Sequence, residues 1–183
     1  MKKVLLLGTF LSSIAMGEAI SVQVQTKLEL NDSGIIITSE PDGTSSINLV
    51  NLDHGTPDRT SNSIASGESL YIKTTEGQLP TGINLNIALN SSTTDSNNLV
   101  TGGKSPAETI PHTLVGEIKN ATNAAGGNLT VTGNTLESTK RVTTTGEALE
   151  VALSSLVNKN DLFGKFAGDY TNTSTLSVTV LAN

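Results

Sequence analysis

The two histidines are the residues in this chain that could carry acid–base or metal chemistry. His54 lies beside Asp53, and His112 lies shortly before Glu117, so imidazole and carboxylate groups share the same stretches of sequence. Such groups form metal sites and catalytic dyads. Both histidines fall in polar, proline-containing sequence, and residues in polar loops are mostly exposed. We therefore predict surface histidines, with no metal site.

No other motif predicts an enzyme. The segment Thr101-Gly102-Gly103-Lys104-Ser105 resembles the end of a phosphate-binding loop, but Asn98 stands where that motif needs its first glycine. The chain has no cysteine, which excludes thiol catalysis and thiolate metal sites. It also has no Gly-x-Ser-x-Gly sequence to expose a nucleophilic serine. We predict no catalytic residue and no cofactor.

Composition narrows the possible partners. The formal net charge is −6, aromatic residues make up 3% of the chain, and there is no tryptophan. Nucleic acids and anionic membranes require a basic surface, so we predict neither as a partner. Ligand pockets usually rely on aromatic walls, for which there is little material here.

The first nineteen residues have the layout of a cleaved secretory signal. A basic start, Lys2-Lys3, precedes a mainly apolar run from Val4 to Met16, and small residues follow at Gly17 and Ala19. The run is too short to cross a bilayer as a helix. We predict export, with cleavage after Ala19 or, alternatively, after Gly17.

Strict alternation of apolar and polar residues dominates the rest of the chain and predicts strands. The predicted strands are Ile20–Leu30, Ile35–Thr38, Ser46–Leu52, Leu70–Thr74, Ile83–Leu89, Thr113–Ile118, Asn128–Thr132, Arg141–Thr144 and Leu176–Ala182. Glycine-rich turns separate them. Residues 147–157 fit a helix or a strand equally well. Many short strands in one domain predict an all-β sandwich.

The first predicted strand has an unusual position, because it directly follows the cleavage site. Its apolar face carries Ile20, Val22, Val24, Thr26 and Leu28. An amphipathic strand at a chain start is an association hazard unless something pairs with it. We therefore predict a donor strand, residues 20–29, that leaves its own domain and completes the sheet of the next copy by strand addition.

The sequence resembles the alpha-type (class-five, colonisation-factor-antigen-like) pilins of chaperone–usher fimbriae. The resemblance rests on the start Ile20–Thr26, on the strand Ile83–Leu89, on Leu129–Asn134, and on Ala167-Gly168-Asp169-Tyr170 followed by Leu176, Val178 and Val180. In that family an Asp-Pro pair follows the donor strand. Leu28-Glu29 stands there in this chain, which leaves the boundary between donor strand and domain open.

The resemblance implies an incomplete Ig-like β-sandwich over residues 30–183, with Leu176, Val178 and Val180 on its closing strand. It implies a structural subunit that polymerises with identical copies into an adhesive surface fimbria for host-cell attachment. A periplasmic chaperone, an outer-membrane usher, a tip adhesin and a host receptor are the implied partners, and export through the periplasm to the bacterial surface is the implied route. Shaft and minor subunit stay open.

Two other readings remain. One is a minor or tip adhesin of the same kind of fibre. The other is a secreted β-sandwich binding module with an unrelated role, in which the first strand belongs to its own sheet.

Overall fold

The computed structural model describes residues 20–29, 34–54, 63–91, 98–101, 108–123, 128–133, 135–165 and 168–181. The predicted signal lies outside these residues. The described chain is mostly antiparallel β-sheet with one short 3-10 helix, Lys159–Leu162, which confirms the all-β prediction. The strands are β1 (Ile20–Glu29), β2 (Ile35–Thr38), β3 (Leu49–Asp53), β4 (Ser63–Thr74), β5 (Asn84–Ser91), β6 (Asn98–Thr101), β7 (Thr109–Lys119), β8 (Ala121–Thr122), β9 (Leu129–Val131), β10 (Glu137–Thr144), β11 (Leu149–Asn158) and β12 (Tyr170–Val180).

The strands form two sheets that are joined through β6 and β7. The first sheet has the order β3-β1-β12-β5-β10-β8, and the second has the order β2-β4-β11-β7-β9. β6 pairs with the start of β12 on one side and with the start of β7 on the other, so β7 begins beside the first sheet and continues in the second. The inward residues of both sheets form a single hydrophobic core.

Alternation explains why the core is continuous. Along β7 every second residue, from Ile110 to Ile118, is buried. The same period-two pattern runs along β12 and along β11, and side chains on one face of a strand all meet the same layer. A strand with this pattern has one sheet face in the core and the other toward solvent.

Residues 147–157, for which the sequence left helix and strand open, contain most of β11. β11 lies between β4 and β7 and pairs with both over most of its length. Leu149, Val151, Leu153 and Val157 point into the core, whereas Leu156, which a helix would have buried, is 46% exposed. Pairing on both edges therefore favours a strand over a helix, because the two neighbouring strands supply the backbone hydrogen bonds that a helix would have made within itself.

Two strands were not predicted from the sequence, and four (β4, β7, β10 and β12) begin four to seven residues before their predicted start. β6 and β8 are short and lie in sequence rich in Asn, Thr and Gly, where alternation is weak. β4 begins seven residues before the predicted Leu70, at Ser63. Its first half has few apolar residues, and it is held by pairing with β11.

Candidate functional site

The N-terminal strand β1 lies in a slot between β12 and β3. It runs parallel to β12, from Ile20 beside Tyr170 to Glu29 beside Thr179, and antiparallel to β3. The expectation that this strand stands clear of its own domain is therefore not met in the single chain. The physical reason is proximity: a tethered strand meets its own slot at a high effective concentration.

The predicted inward face of β1 is the face that meets the core. Ile20, Val22 and Val24 are buried, and Leu28 is half-buried and packs against the core cluster. Thr26 is also half-buried, and its hydroxyl donates a hydrogen bond to the backbone oxygen of Ile47. All five side chains assigned from the sequence thus lie on the core-facing side of β1.

The walls of the slot come from the last strand and from a strand near the start of the chain. On β12, Leu176 and Val178 are fully buried, and Val180 packs on the core from a partly buried position. On β3, Val50 and Leu52 are buried opposite Val24 and Val22. The closing strand predicted from the sequence is therefore one wall, whereas β3 as the second wall was not predicted.

Half of the β12 wall is polar. Asn172 and Ser174 are buried beside Val22 and Val24. The Ser174 hydroxyl donates to the Asn172 side-chain oxygen at 3.0 Å, and the Asn172 amide donates to the backbone oxygen of Asn98 in β6 at 3.0 Å. These bonds do not involve β1, so the two polar side chains keep their partners whether or not the slot is filled.

His54 closes one end of the slot. It directly follows β3, and its side chain is buried rather than exposed as the sequence predicted. Its backbone N–H donates to the oxygen of Ile20 at 2.9 Å. Its ring Nδ1 lies 3.1 Å from that same oxygen, and its Nε2 lies 3.2 Å from the backbone oxygen of Ser155 in β11. The ring therefore lies between the first residue of β1 and the opposite sheet.

Opposing effects act on the protonation of His54. Burial lowers the pKa of the imidazole below its usual 6.5, and this effect outweighs the rise caused by the two backbone oxygens and by nearby Asp53. A neutral imidazole carries one N–H, and a carbonyl oxygen can only accept. The neutral ring thus donates to one of the two oxygens at a time.

His112 is also buried, which corrects the second prediction of a surface histidine. It lies within β7 at an inward position, opposite Val157 of β11. The neighbouring Pro111 faces outward and does not end the strand. The alternation of Ile110, His112 and Leu114 was a signal in the sequence that the polar context concealed.

A tyrosine anchors the start of β12 at the same end of the slot. Tyr170, beside Ile20, is 3% exposed, and its hydroxyl donates to Glu108 Oε2 at 2.7 Å. Burial raises the pKa of Tyr170, and the hydrogen bond and negative charge of Glu108 raise it further. Tyr170 therefore stays a neutral donor throughout the physiological range.

The other candidate sites do not come together. Among the residues described, no three His, Asp or Glu side chains are close enough to hold a metal ion. Thr101 ends β6, and Gly102–Ser105 of the phosphate-loop-like segment lie outside the described residues. Nor does the described part of the chain contain a helix long and apolar enough to cross a membrane.

Comparison with known proteins finds no matching family model and no matching curated sequence. The functional argument for this chain therefore rests on β1, its slot and the residues that hold it there.

Proposed function

We propose that this chain is a structural subunit of a bacterial surface fibre that polymerises by donor-strand exchange. In this proposal it is an alpha-type chaperone–usher pilin with an incomplete Ig-like sandwich. The observation that supports it best is that the strand directly after the predicted signal fills a slot between β12 and β3 with an alternating apolar face. Strand addition uses an extended segment whose alternate side chains fill pockets, and strand exchange takes that segment from another copy.

The slot depends on β1 for its closure. Among the described strands, β3 pairs with β1 alone, so β1 is what connects β3 to the rest of the first sheet. Without β1, β12 would expose a full edge and the core would be open along Leu52, Leu176 and Val178. Such an edge takes up another strand readily. The incomplete domain is therefore the form that would await a donor.

The β1 of a second copy could make the same contacts as the chain's own β1. Burial of a large aliphatic side chain stabilises by about 1.5–3 kcal/mol, and three such side chains, Ile20, Val22 and Val24, are buried here. Because exchange conserves these contacts, the free-energy difference between the single-chain form and the strand-exchanged form comes mainly from chain entropy and depends on protein concentration. A periplasmic chaperone that holds the slot until the next subunit arrives would prevent closure within one chain. An usher would then join the subunits.

The remaining partners and the route follow from the same proposal. The subunits are exported through the periplasm and assemble on the cell surface, behind a tip adhesin that contacts a host receptor. The absence of cysteine accords with a subunit held together by its core and by strand pairing rather than by disulfides.

A cysteine cross-linking experiment tests strand exchange directly. In the parallel register, Ser21 lies beside Thr171 and Lys27 lies beside Ser177. Single-cysteine variants of one group (Ser21→Cys, Lys27→Cys) are refolded together with single-cysteine variants of the other (Thr171→Cys, Ser177→Cys) and then oxidised. Because each copy has one thiol, a disulfide can form only between copies. Ser154→Cys, exposed on β11 of the other sheet, is the matched control acceptor.

We expect cross-links to Thr171→Cys and Ser177→Cys and none above background to Ser154→Cys. Parallel insertion gives the pairs 21–171 and 27–177, whereas antiparallel insertion gives 21–177 and 27–171, so the pattern also reads the strand direction. Equal yields for all three acceptors would mean random collision and would refute the proposal.

One observation favours a second candidate function. β1 completes the sheet of its own chain, as in a self-sufficient secreted β-sandwich that binds a ligand or partner. In that case the double variant Ser21→Cys/Thr171→Cys forms its disulfide within one chain at every protein concentration, and the mixed single-cysteine variants form none.

A further inference from the structure

His54 holds the first residue of β1 with two groups, its backbone amide and its imidazole ring. Ile20 O accepts from the His54 N–H at 2.9 Å and lies 3.1 Å from the ring Nδ1. Both contacts are made to a main-chain oxygen, so they do not depend on which side chain the strand carries there.

The other ring nitrogen lies against the opposite side of the core. Nε2 lies 3.2 Å from the backbone oxygen of Ser155, which belongs to β11 in the second sheet. His54 is 6% exposed and Ser155 is fully buried, so little water reaches the ring. Because the neutral ring carries one N–H, it donates to Ile20 only in the tautomer with its proton on Nδ1, and the Nε2 contact is then not a hydrogen bond. The imidazole thus spans the two sheets at the point where β1 enters the slot.

We propose that His54 is a positioning residue that anchors the start of the strand in the slot by holding the backbone oxygen of its first residue. Every residue of a strand carries a backbone oxygen, so this contact does not distinguish one register from another. It holds the end of the strand against the core, where β1 is otherwise held by its buried side chains and by pairing with β12 and β3.

Applied to a second copy, this inference rests on the proposed function. Applied to the single chain, it does not, because the chain's own β1 already meets His54. The two experiments below separate these cases.

The first experiment measures amide hydrogen exchange in the full chain without its signal. In His54→Ala we expect the amides of residues 20–24 to exchange at least about tenfold faster than in the wild type, with β4 and β11 unchanged, since local opening exposes only the released segment. His54→Gln, which keeps one side-chain donor, should lie between the two. His112→Gln, a buried histidine on β7, is the control and should leave β1 unchanged. Unchanged exchange of β1 in both His54 variants, or a uniform increase over all strands, would overturn the proposal.

The second experiment offers labelled peptides in excess to the same proteins, again without the signal. One peptide is residues 21–29 with an N-terminal acetyl group, whose carbonyl replaces that of Ile20. The other is residues 21–29 with a free amine and no such carbonyl. Wild-type protein should incorporate the acetylated peptide about tenfold better, a gain expected of one hydrogen bond in a buried site. His54→Ala loses the ring but keeps the backbone N–H of residue 54, so this preference should become clearly smaller without vanishing.

An equal preference in wild type and His54→Ala would refute anchoring of the strand by the His54 ring. Failure of every peptide to enter any variant would instead count against strand exchange. The hydrogen-exchange result would then still decide whether His54 holds the chain's own strand.

Discussion

Replacing Val24 by aspartate perturbs the slot at its centre. Val24 is fully buried, between Ser174 of β12 and Val50 of β3. The change forfeits about 1.5–3 kcal/mol of side-chain burial and forces a carboxyl group into the core, which costs several kcal/mol more even when it is neutral. The Ser174 hydroxyl already donates to Asn172 and is not an available donor. The total, roughly 4 kcal/mol or more, is a large part of the 5–15 kcal/mol that stabilises a typical domain.

The matched control is Gln23→Asp. Gln23 is the neighbouring residue on the other face of β1, half-buried between Thr173 and Asn51. An aspartate there stays hydrated, and we expect a cost below about 1 kcal/mol. Urea unfolding of both variants gives the comparison. Equal losses of stability would mean that the alternation of β1 does not carry its binding energy, and the account of the slot would be wrong.

The same variant separates the donor role from the acceptor role. Because the Val24→Asp chain keeps β12 and β3 intact, its slot should still accept a wild-type strand. We expect an added peptide of residues 20–29 to restore its stability in urea in a concentration-dependent way, and to leave Gln23→Asp little changed. In mixtures, Val24→Asp copies should be cross-linked as acceptors and not as donors. A variant that neither donates nor accepts would show that the substitution unfolds the whole domain.

Three further predictions concern single residues. As the pH falls below 6.5, His54 of the unfolded chain takes up a proton before the buried His54 of the folded chain does, because burial lowers its pKa. The unfolding free energy of the wild type should therefore fall below pH 6.5 and stay constant above it, whereas that of His54→Gln should fall less. Denaturant midpoints at pH 7.5 and 5.5 measure this difference. Tyr170→Phe removes the donor to Glu108 and should cost about 1–2 kcal/mol, whereas Glu108→Gln, which can still accept, should cost less. Lys73 is 2% exposed and donates to the backbone oxygen of Pro41 at 2.7 Å. Lys73→Met keeps the buried aliphatic stem and should change the unfolding free energy by less than about 1 kcal/mol, whereas Lys73→Ala should lose about 2 kcal/mol. Equal losses for the two variants would mean that the charge, and not the stem, holds the loop at Pro41.

Local pattern was enough to predict much of the strand content and the facing of β1. Ile20, Val22 and Val24 point inward as their alternation predicts, and so do Leu176 and Val178 on the closing strand. The reason is geometric. Successive side chains of a strand point to opposite faces, so a period of two in hydrophobicity assigns each residue to a face without knowledge of the partner strand.

Burial of the histidines was decided by the tertiary structure. The polar, proline-containing context of His112 predicted a loop, but β6 and β11 pair with this part of β7 and extend the strand through it. His54 is buried because the start of β1 and the backbone of β11 converge on it, and both are distant in sequence. A local window contains neither contact, so it can assign these residues only by composition.

The alternation in residues 20–29 was enough to predict a strand that must bury one face. The tertiary structure decided where that face goes: between β12 and β3, parallel to the former and antiparallel to the latter. Main-chain hydrogen bonds can form between any two strands, so side-chain periodicity does not specify which strands pair. The choice of partner depends on which edges the rest of the fold leaves open, and those edges exist only once β12 and β3 have been brought to opposite sides of one slot.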